Sequence, residues 1–246
     1  MKRGYTLAEV LVTIGVIGIV ASMTLPILIK KYQYKQWTEQ LKKSYSTLDK
    51  GFRKMLADDE VFELADTEVF KSITKDDCAH FDNTQGQCKD FYNNMKKYFK
   101  IVDIKNIDYK YTYLNDDWEY SYDGYAIFLA DGTMIFGYSF IRNLFLGIHG
   151  NFYIDMNGLK KPNKAGRDIF YFIIGSDGVY PMGSSMASRI KGEGDASWLN
   201  TTQTYKMCEL GYKTISGLSC TARVLETGNM DYTVKINPNG SGGSGS

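Results

Sequence analysis

Histidine and cysteine are scarce in this 246-residue sequence, which contains two histidines and four cysteines. The spacings of the cysteines match no CxxC metal or redox motif, and two isolated histidines provide little for a zinc site. The sequence also lacks a G-x-S-x-G elbow, a P-loop and an H-E-x-x-H helix. These absences argue against the common hydrolase, nucleotide and metalloprotease chemistries, and the sequence predicts a protein that is not an enzyme.

An excess of charge of either sign is also missing. The chain carries 29 basic and 28 acidic residues, for a formal net charge of +1. Proteins that bind nucleic acid usually present a clearly basic surface. The balance of charges therefore predicts that nucleic acid is not a partner.

One long apolar run stands out against this background. The twenty residues from Val10 to Ile29 carry no charge, and as a helix they span about 30 Å, the hydrocarbon thickness of a bilayer. A secretory signal peptide is the competing interpretation, with Lys2 and Arg3 as its basic region. Signal peptides have shorter apolar regions and no carboxylate such as Glu9 beside them. The run therefore predicts a transmembrane helix.

Glu9 is an unusual residue at the start of such a helix. An ionised carboxylate in the apolar part of a membrane helix is costly and needs a partner. No basic residue follows it before Lys30, and those that precede it lie a turn or more away. Cleavage after Gly4 would create a new amino group on Tyr5, and this group could serve the Glu9 carboxylate of a neighbouring copy.

The stretch Gly4-Tyr-Thr-Leu-Ala-Glu9, followed by an apolar run that reaches Pro26, resembles the class III leader of type IV prepilins and type II secretion pseudopilins. The resemblance implies cleavage after Gly4 and methylation of the Tyr5 amino group. It also implies that Glu9 pairs with a neighbouring amino terminus during assembly. In such filaments the stretch corresponding to Gly18–Pro26 is often unwound. Tyr5 differs from the phenylalanine that the family more often has.

This resemblance implies particular partners and locations. The partners are copies of the chain, related pilin subunits, a prepilin peptidase, the inner-membrane assembly machinery and membrane lipid. The precursor would cross the bacterial inner membrane once, with its head outside the cytoplasm, and would then enter a periplasmic or extracellular filament. The expected function is that of a pilin or pseudopilin. The alternative is a membrane-anchored surface domain that binds calcium, a glycan or a protein and does not polymerise.

The helix is expected to continue beyond the membrane to about Asp58. Pro26 should kink or loosen it locally, and Gly18 weakens it and allows close approach of another helix. Beyond the membrane, apolar residues recur every three or four positions, the spacing of one helical face. They are Tyr34, Trp37, Leu41, Tyr45, Leu48, Phe52 and Met55.

The remaining patterns predict an α+β head in which an antiparallel sheet packs on the long helix, an arrangement like that of pilins. Short helices are expected at 62–73 and 90–99. Strand periodicity begins near Tyr109, and Asp131-Gly132 indicates a hairpin. The expected strands cover 125–130, 134–138, 152–155, 169–174, 179–181 and 222–225.

The expected organisation has five parts. Residues 1–4 form a leader, 5–29 the transmembrane and assembly helix, and 30–58 its amphipathic continuation. Residues 59–238 form the head. Residues 239–246 consist almost entirely of glycine and serine and are expected to be a flexible tail.

The four cysteines fall into two local pairs, Cys78 with Cys88 and Cys208 with Cys220. Four cysteines allow three connectivities, and the short separations favour pairing within each cluster. Disulfides are typical of oxidising compartments, so these pairs favour a head outside the cytoplasm.

Two turn-rich loops contain the hard oxygen ligands that calcium prefers. Asp155, Asn157, Asn163 and Asp168 occupy the first, and Asp177 the second. The second loop resembles the region after the sheet in major pseudopilins, where calcium can order a loop. The simpler interpretation is that Asp and Asn beside Gly are turn formers. No cofactor is expected to be required, and calcium is the candidate ion.

Overall fold

The computed structural model describes residues 6–75, 88–115, 118–139, 148–184, 208–209 and 216–233. The chain divides into two compact units, Met1–Gln36 and Trp37–Ser246. The first unit contains the apolar half of a long helix, and the second contains the rest of that helix together with the head.

Helix α1 runs from Leu7 to Asp58, and it continues through Pro26. Its predicted end at Asp58 is confirmed, and Glu60, which has a left-handed φ of 53°, lies just beyond it. Within the head, the predicted apolar stripe is buried from Trp37 onward, so this half of the helix is a core element. Its buried residues are Trp37, Thr38, Leu41, Ser44, Leu48, Gly51, Phe52 and Met55.

Two short helices follow, α2 (Glu68–Lys75) and α3 (Lys89–Met95), and a 3-10 turn at Leu64–Asp66 precedes α2. Both are shorter than the sequence predicts. Helix α2 begins six residues after its predicted start at Phe62. The Thr67 hydroxyl accepts the Phe70 backbone N–H at 3.3 Å and so caps the helix at this point.

Among the described residues, six strands form one antiparallel sheet in the order β1 to β6, each paired with the next along the chain. Strands β1, β2 and β4 begin four to eight residues earlier than predicted, whereas β3, β5 and β6 agree with the prediction within one residue. The strands are β1 (Ile101–Thr112), β2 (Glu119–Leu129), β3 (Met134–Ser139), β4 (Ile148–Asp155), β5 (Ile169–Gly175) and β6 (Val179–Pro181).

The predicted hairpin at Asp131-Gly132 joins β2 to β3. Gly132 has a φ of 90°, a conformation that favours glycine, and Asp131 accepts the Thr133 backbone N–H at 3.1 Å. The Thr133 hydroxyl lies 3.3 Å from that of Ser44, where both residues are buried. The turn is therefore fixed both by its own residues and by α1.

Both faces of the sheet contain buried residues, and β5 is buried along its whole length. On one face, the Phe172 ring stacks on Tyr45 of α1 at 6.0 Å and on Phe152 at 5.7 Å. On the other face, tyrosines from neighbouring strands pack together, as Tyr153 does with Tyr171 at 4.7 Å. Aromatic rings in such contacts bury large areas. Most of the tyrosines thus serve the core, whereas Trp118 remains 72% exposed.

The expected strand at 222–225 is wrong, because these residues lie in helix α4 (Cys220–Thr227). The helix ends at Gly228, which has a left-handed φ of 70° and donates its N–H to Val224 O at 2.9 Å. A short apolar run does not distinguish a strand from a helix, and the glycine at its end was the available signal.

The predicted pairing of Cys208 with Cys220 is present as a disulfide, and both cysteines are buried. Cys88 is also disulfide-bonded. Cys78 lies outside the described residues, as do the predicted leader and the glycine- and serine-rich tail.

Candidate functional site

The first half of α1 presents a continuous apolar surface in the isolated chain. It is long and apolar enough to cross a membrane by length and composition. Exposed apolar surface of this extent is typical of a membrane or protein interface. Its large exposed residues are Leu7, Val10, Leu11, Val12, Ile14, Val16, Ile17, Ile19, Val20, Met23, Leu25, Ile27, Leu28 and Ile29.

Polar side chains on this surface bond to their own helix. Thr13 donates to Val10 O at 2.8 Å, and Ser22 donates to Ile19 O at 2.7 Å. Hydroxyls satisfied in this way are compatible with lipid, which offers no hydrogen-bonding partner. These residues therefore do not oppose membrane insertion.

Glu9 is held by Thr6 at the start of the helix. One of its carboxylate oxygens accepts the Thr6 backbone N–H at 2.8 Å and the Thr6 hydroxyl at 3.0 Å, and the Glu9 N–H lies 3.3 Å from that hydroxyl. This reciprocal arrangement is a capping box. The Thr-x-x-Glu spacing before an apolar run is the sequence signal of such a box.

The other residues predicted for processing and assembly lie on or before this helix. An added Cβ on Gly18 would meet nothing within 4 Å, which leaves room for an approaching partner. The helix is unbroken between Gly18 and Pro26 in this single chain. Gly4 and Tyr5 lie outside the described residues.

A second candidate site lies in the segment between β4 and β5, residues 155–168, which we call the connecting loop. Asp168 is fully buried and accepts three hydrogen bonds within this loop. Its Oδ1 accepts the Lys164 N–H at 2.7 Å, and its Oδ2 accepts the Asn163 N–H at 3.0 Å and the Asn157 side-chain amide at 3.3 Å. Burial nevertheless raises the pKa of Asp168 to about 6, because desolvation disfavours its charged form.

Asp155 occupies the other end of this loop and is also fully buried. Its Oδ1 accepts the Asn157 N–H at 2.9 Å, and its Oδ2 accepts the Tyr109 hydroxyl. Burial raises the pKa of Asp155 well above its usual range, and the negative charge of Asp168 adds to this effect. The two carboxyl groups are therefore electrostatically coupled.

The structure brings four of the five predicted calcium ligands into the connecting loop. Asp177 lies elsewhere, because it follows β5 whereas Asp168 precedes it, and a seven-residue strand is about 20 Å long. The Asp177 carboxylate accepts a hydrogen bond from Tyr180. Among the described residues, no three His, Cys, Asp or Glu side chains converge on a metal position.

Comparison with known proteins identifies the N-terminal part of the chain. No curated protein and no solved structure matches the chain. Residues 1–25 match the family model described as the prokaryotic N-terminal methylation motif. These residues make up about a tenth of the sequence, and they include Glu9 and most of the exposed apolar surface. The chain thus carries the type IV prepilin and pseudopilin signature at its N-terminus, followed by a pilin-like α+β head.

Proposed function

We propose that the protein is a structural subunit of a type IV pilus or a type II secretion-like filament. It is processed after Gly4 and assembles through α1. The observation that carries the proposal is the methylation motif at residues 1–25 on a helix whose apolar surface is exposed. A subunit of this kind needs that surface twice, first for the membrane and then for its neighbours.

Glu9 is the residue that distinguishes an assembling subunit from a simple anchor. Thr6 supplies hydrogen bonds to its carboxylate, but no ion pair to it is present among the described residues. The amino group on Tyr5 of a neighbouring copy would supply the missing positive charge. We therefore assign Glu9 to subunit pairing, and Gly18 and Pro26 to the packing of neighbouring helices.

The remaining partners follow from the same proposal. A prepilin peptidase cuts the precursor in the bacterial inner membrane, and the assembly machinery moves the subunit into a periplasmic or extracellular filament. A head outside the cytoplasm agrees with the buried Cys208–Cys220 disulfide, since such bonds persist in oxidising compartments.

The first test is mass spectrometry of the mature protein from its native host. The expected N-terminus is a methylated Tyr5. A chain that retains Met1, or one cut near Ser22 as a secretory signal would be, contradicts processing after Gly4.

The second test replaces Glu9 with alanine in the native host and measures membrane content and filament incorporation. The Glu9→Ala chain should insert normally but enter filaments poorly. Glu39→Ala is the matched control, because its carboxylate is exposed and lies on the part of α1 that belongs to the head. Equal incorporation of both variants contradicts the charge pairing. Filaments that lack the chain altogether would favour a non-polymerising surface domain that binds calcium, a glycan or a protein.

A further inference from the structure

The connecting loop contains four of the five residues predicted as calcium ligands, Asp155, Asn157, Asn163 and Asp168. Calcium takes six to eight oxygen ligands, usually several of them carboxylates. The loop offers two carboxylates, and each of their four oxygens already accepts a hydrogen bond from the chain. Backbone N–H groups provide three of these bonds. The carboxylates are therefore oriented towards donors rather than towards an open position.

The two asparagines are also oriented for donation. Asn157 directs its amide nitrogen towards Asp168 Oδ2 at 3.3 Å and Lys161 O at 3.4 Å. Asn163 directs its own towards Lys110 O at 3.1 Å. The Oδ1 atoms of both are buried and have no hydrogen-bond partner among the described residues. A calcium ion on Asp168 would meet the NH₂ end of Asn157, and binding would require that amide to reverse and lose both bonds.

We infer that the connecting loop is ordered by hydrogen bonds from its own chain to Asp155 and Asp168, and that these bonds take the place of the calcium ion that its oxygen ligands would suggest. The loop then needs no metal to hold its shape. This inference concerns the head alone and does not depend on whether the chain assembles into a filament.

The backbone of the connecting loop also makes hydrogen bonds to the rest of the head. The loop backbone is tied to β1, where Ala165 donates its N–H to Thr112 O at 2.9 Å. On its other side, the buried Tyr232 hydroxyl donates to Gly166 O at 2.5 Å. The loop that Asp168 holds through Asn163 and Lys164 therefore also contacts Tyr232, in the segment after the Cys208–Cys220 disulfide.

The test uses the full-length chain in detergent and follows the melting of the head by near-UV circular dichroism of its tyrosines. Wild-type protein is melted with millimolar CaCl₂ and again with EGTA. The inference expects the same Tm in both, within about 1 °C. A bound ion stabilises by mass action, so a Tm that rises by several degrees with CaCl₂ and falls with EGTA overturns it.

The matched variants are Asp168→Asn and Asp177→Asn, since both aspartates belong to the predicted calcium set but only Asp168 is buried among donors. An asparagine amide at 168 would direct its own N–H towards backbone N–H groups. Asp168→Asn should lower the Tm by roughly 4–8 °C, whereas Asp177→Asn should change it little. Equal melting of the two variants overturns the inference. If Asp168→Asn does not fold, the calcium titration of the wild-type chain still decides.

Discussion

Replacing Gly51 with alanine should destabilise the head, although alanine is the better helix former. Gly51 lies in α1, where it faces Phe99. A Cβ at this position would lie under 3.0 Å from two atoms of the Phe99 ring. Phe99 is itself buried, and its ring packs edge-on against Phe52 at 5.8 Å between centroids. The ring therefore has little room to retreat.

Two opposing effects set the magnitude of this change. Alanine should gain about 1 kcal/mol over glycine in a helix interior. Inserting a methyl group into a packed core should cost about 1–3 kcal/mol, and the short contact with Phe99 favours the upper part of that range. We expect a net loss of about 1–2 kcal/mol in the free energy of unfolding. For a head of this size, that corresponds to a Tm lower by roughly 3–6 °C.

Thermal melting of the full-length chain in detergent measures the effect. Lys50→Ala is the control, because Lys50 is the exposed neighbour of Gly51 on the same helix. The same Gly51→Ala change should cost less stability in a Phe99→Leu background than in the wild-type chain, because leucine leaves room for the added methyl group. An increase in Tm for Gly51→Ala would show that helix propensity outweighs the contact and would refute the reasoning.

Two further predictions concern the disulfide and the capping box. The joint replacement Cys208→Ala/Cys220→Ala should lower the free energy of unfolding by about 3 kcal/mol, because the bond closes a segment with a sequence separation of 12. Urea unfolding checks this, and an unchanged midpoint contradicts it. Thr6→Ala should speed amide hydrogen exchange in the first turn of α1 roughly fivefold, whereas Thr6→Ser should not. Equal exchange in the two variants would show that the box contributes nothing.

The sequence was sufficient for elements whose pattern is long or whose turn chemistry is distinctive. The stripe from Trp37 to Met55 predicted the second half of α1, and Asp131-Gly132 predicted the β2–β3 hairpin. It was not sufficient for the first half of β1, because charged residues such as Asp103 and Lys105 lie on this partly exposed strand and weaken its apolar pattern. Helix α4 was missed because its apolar run is short.

The candidate calcium ligands show a different limit. The sequence correctly placed Asp155 and Asp168 in one turn-rich loop, but residue type alone cannot tell which way a carboxylate or an amide faces. That depends on backbone donors such as Lys164 N–H and on Tyr109, which lies 46 positions from Asp155. Such long-range contacts are fixed only when the sheet has formed.

The Thr6–Glu9 capping box changes how the membrane carboxylate should be understood. Judged from the sequence alone, Glu9 needs a partner that a neighbouring chain would supply. Thr6 already provides two donors, so a single precursor can hold the carboxylate in the apolar helix before any neighbour arrives. Hydrogen bonds from neutral groups leave its negative charge uncompensated, and a charge in low dielectric interacts strongly with an opposite one. The proposed pairing with an amino terminus thus supplies attraction between subunits rather than rescue of an unstable monomer.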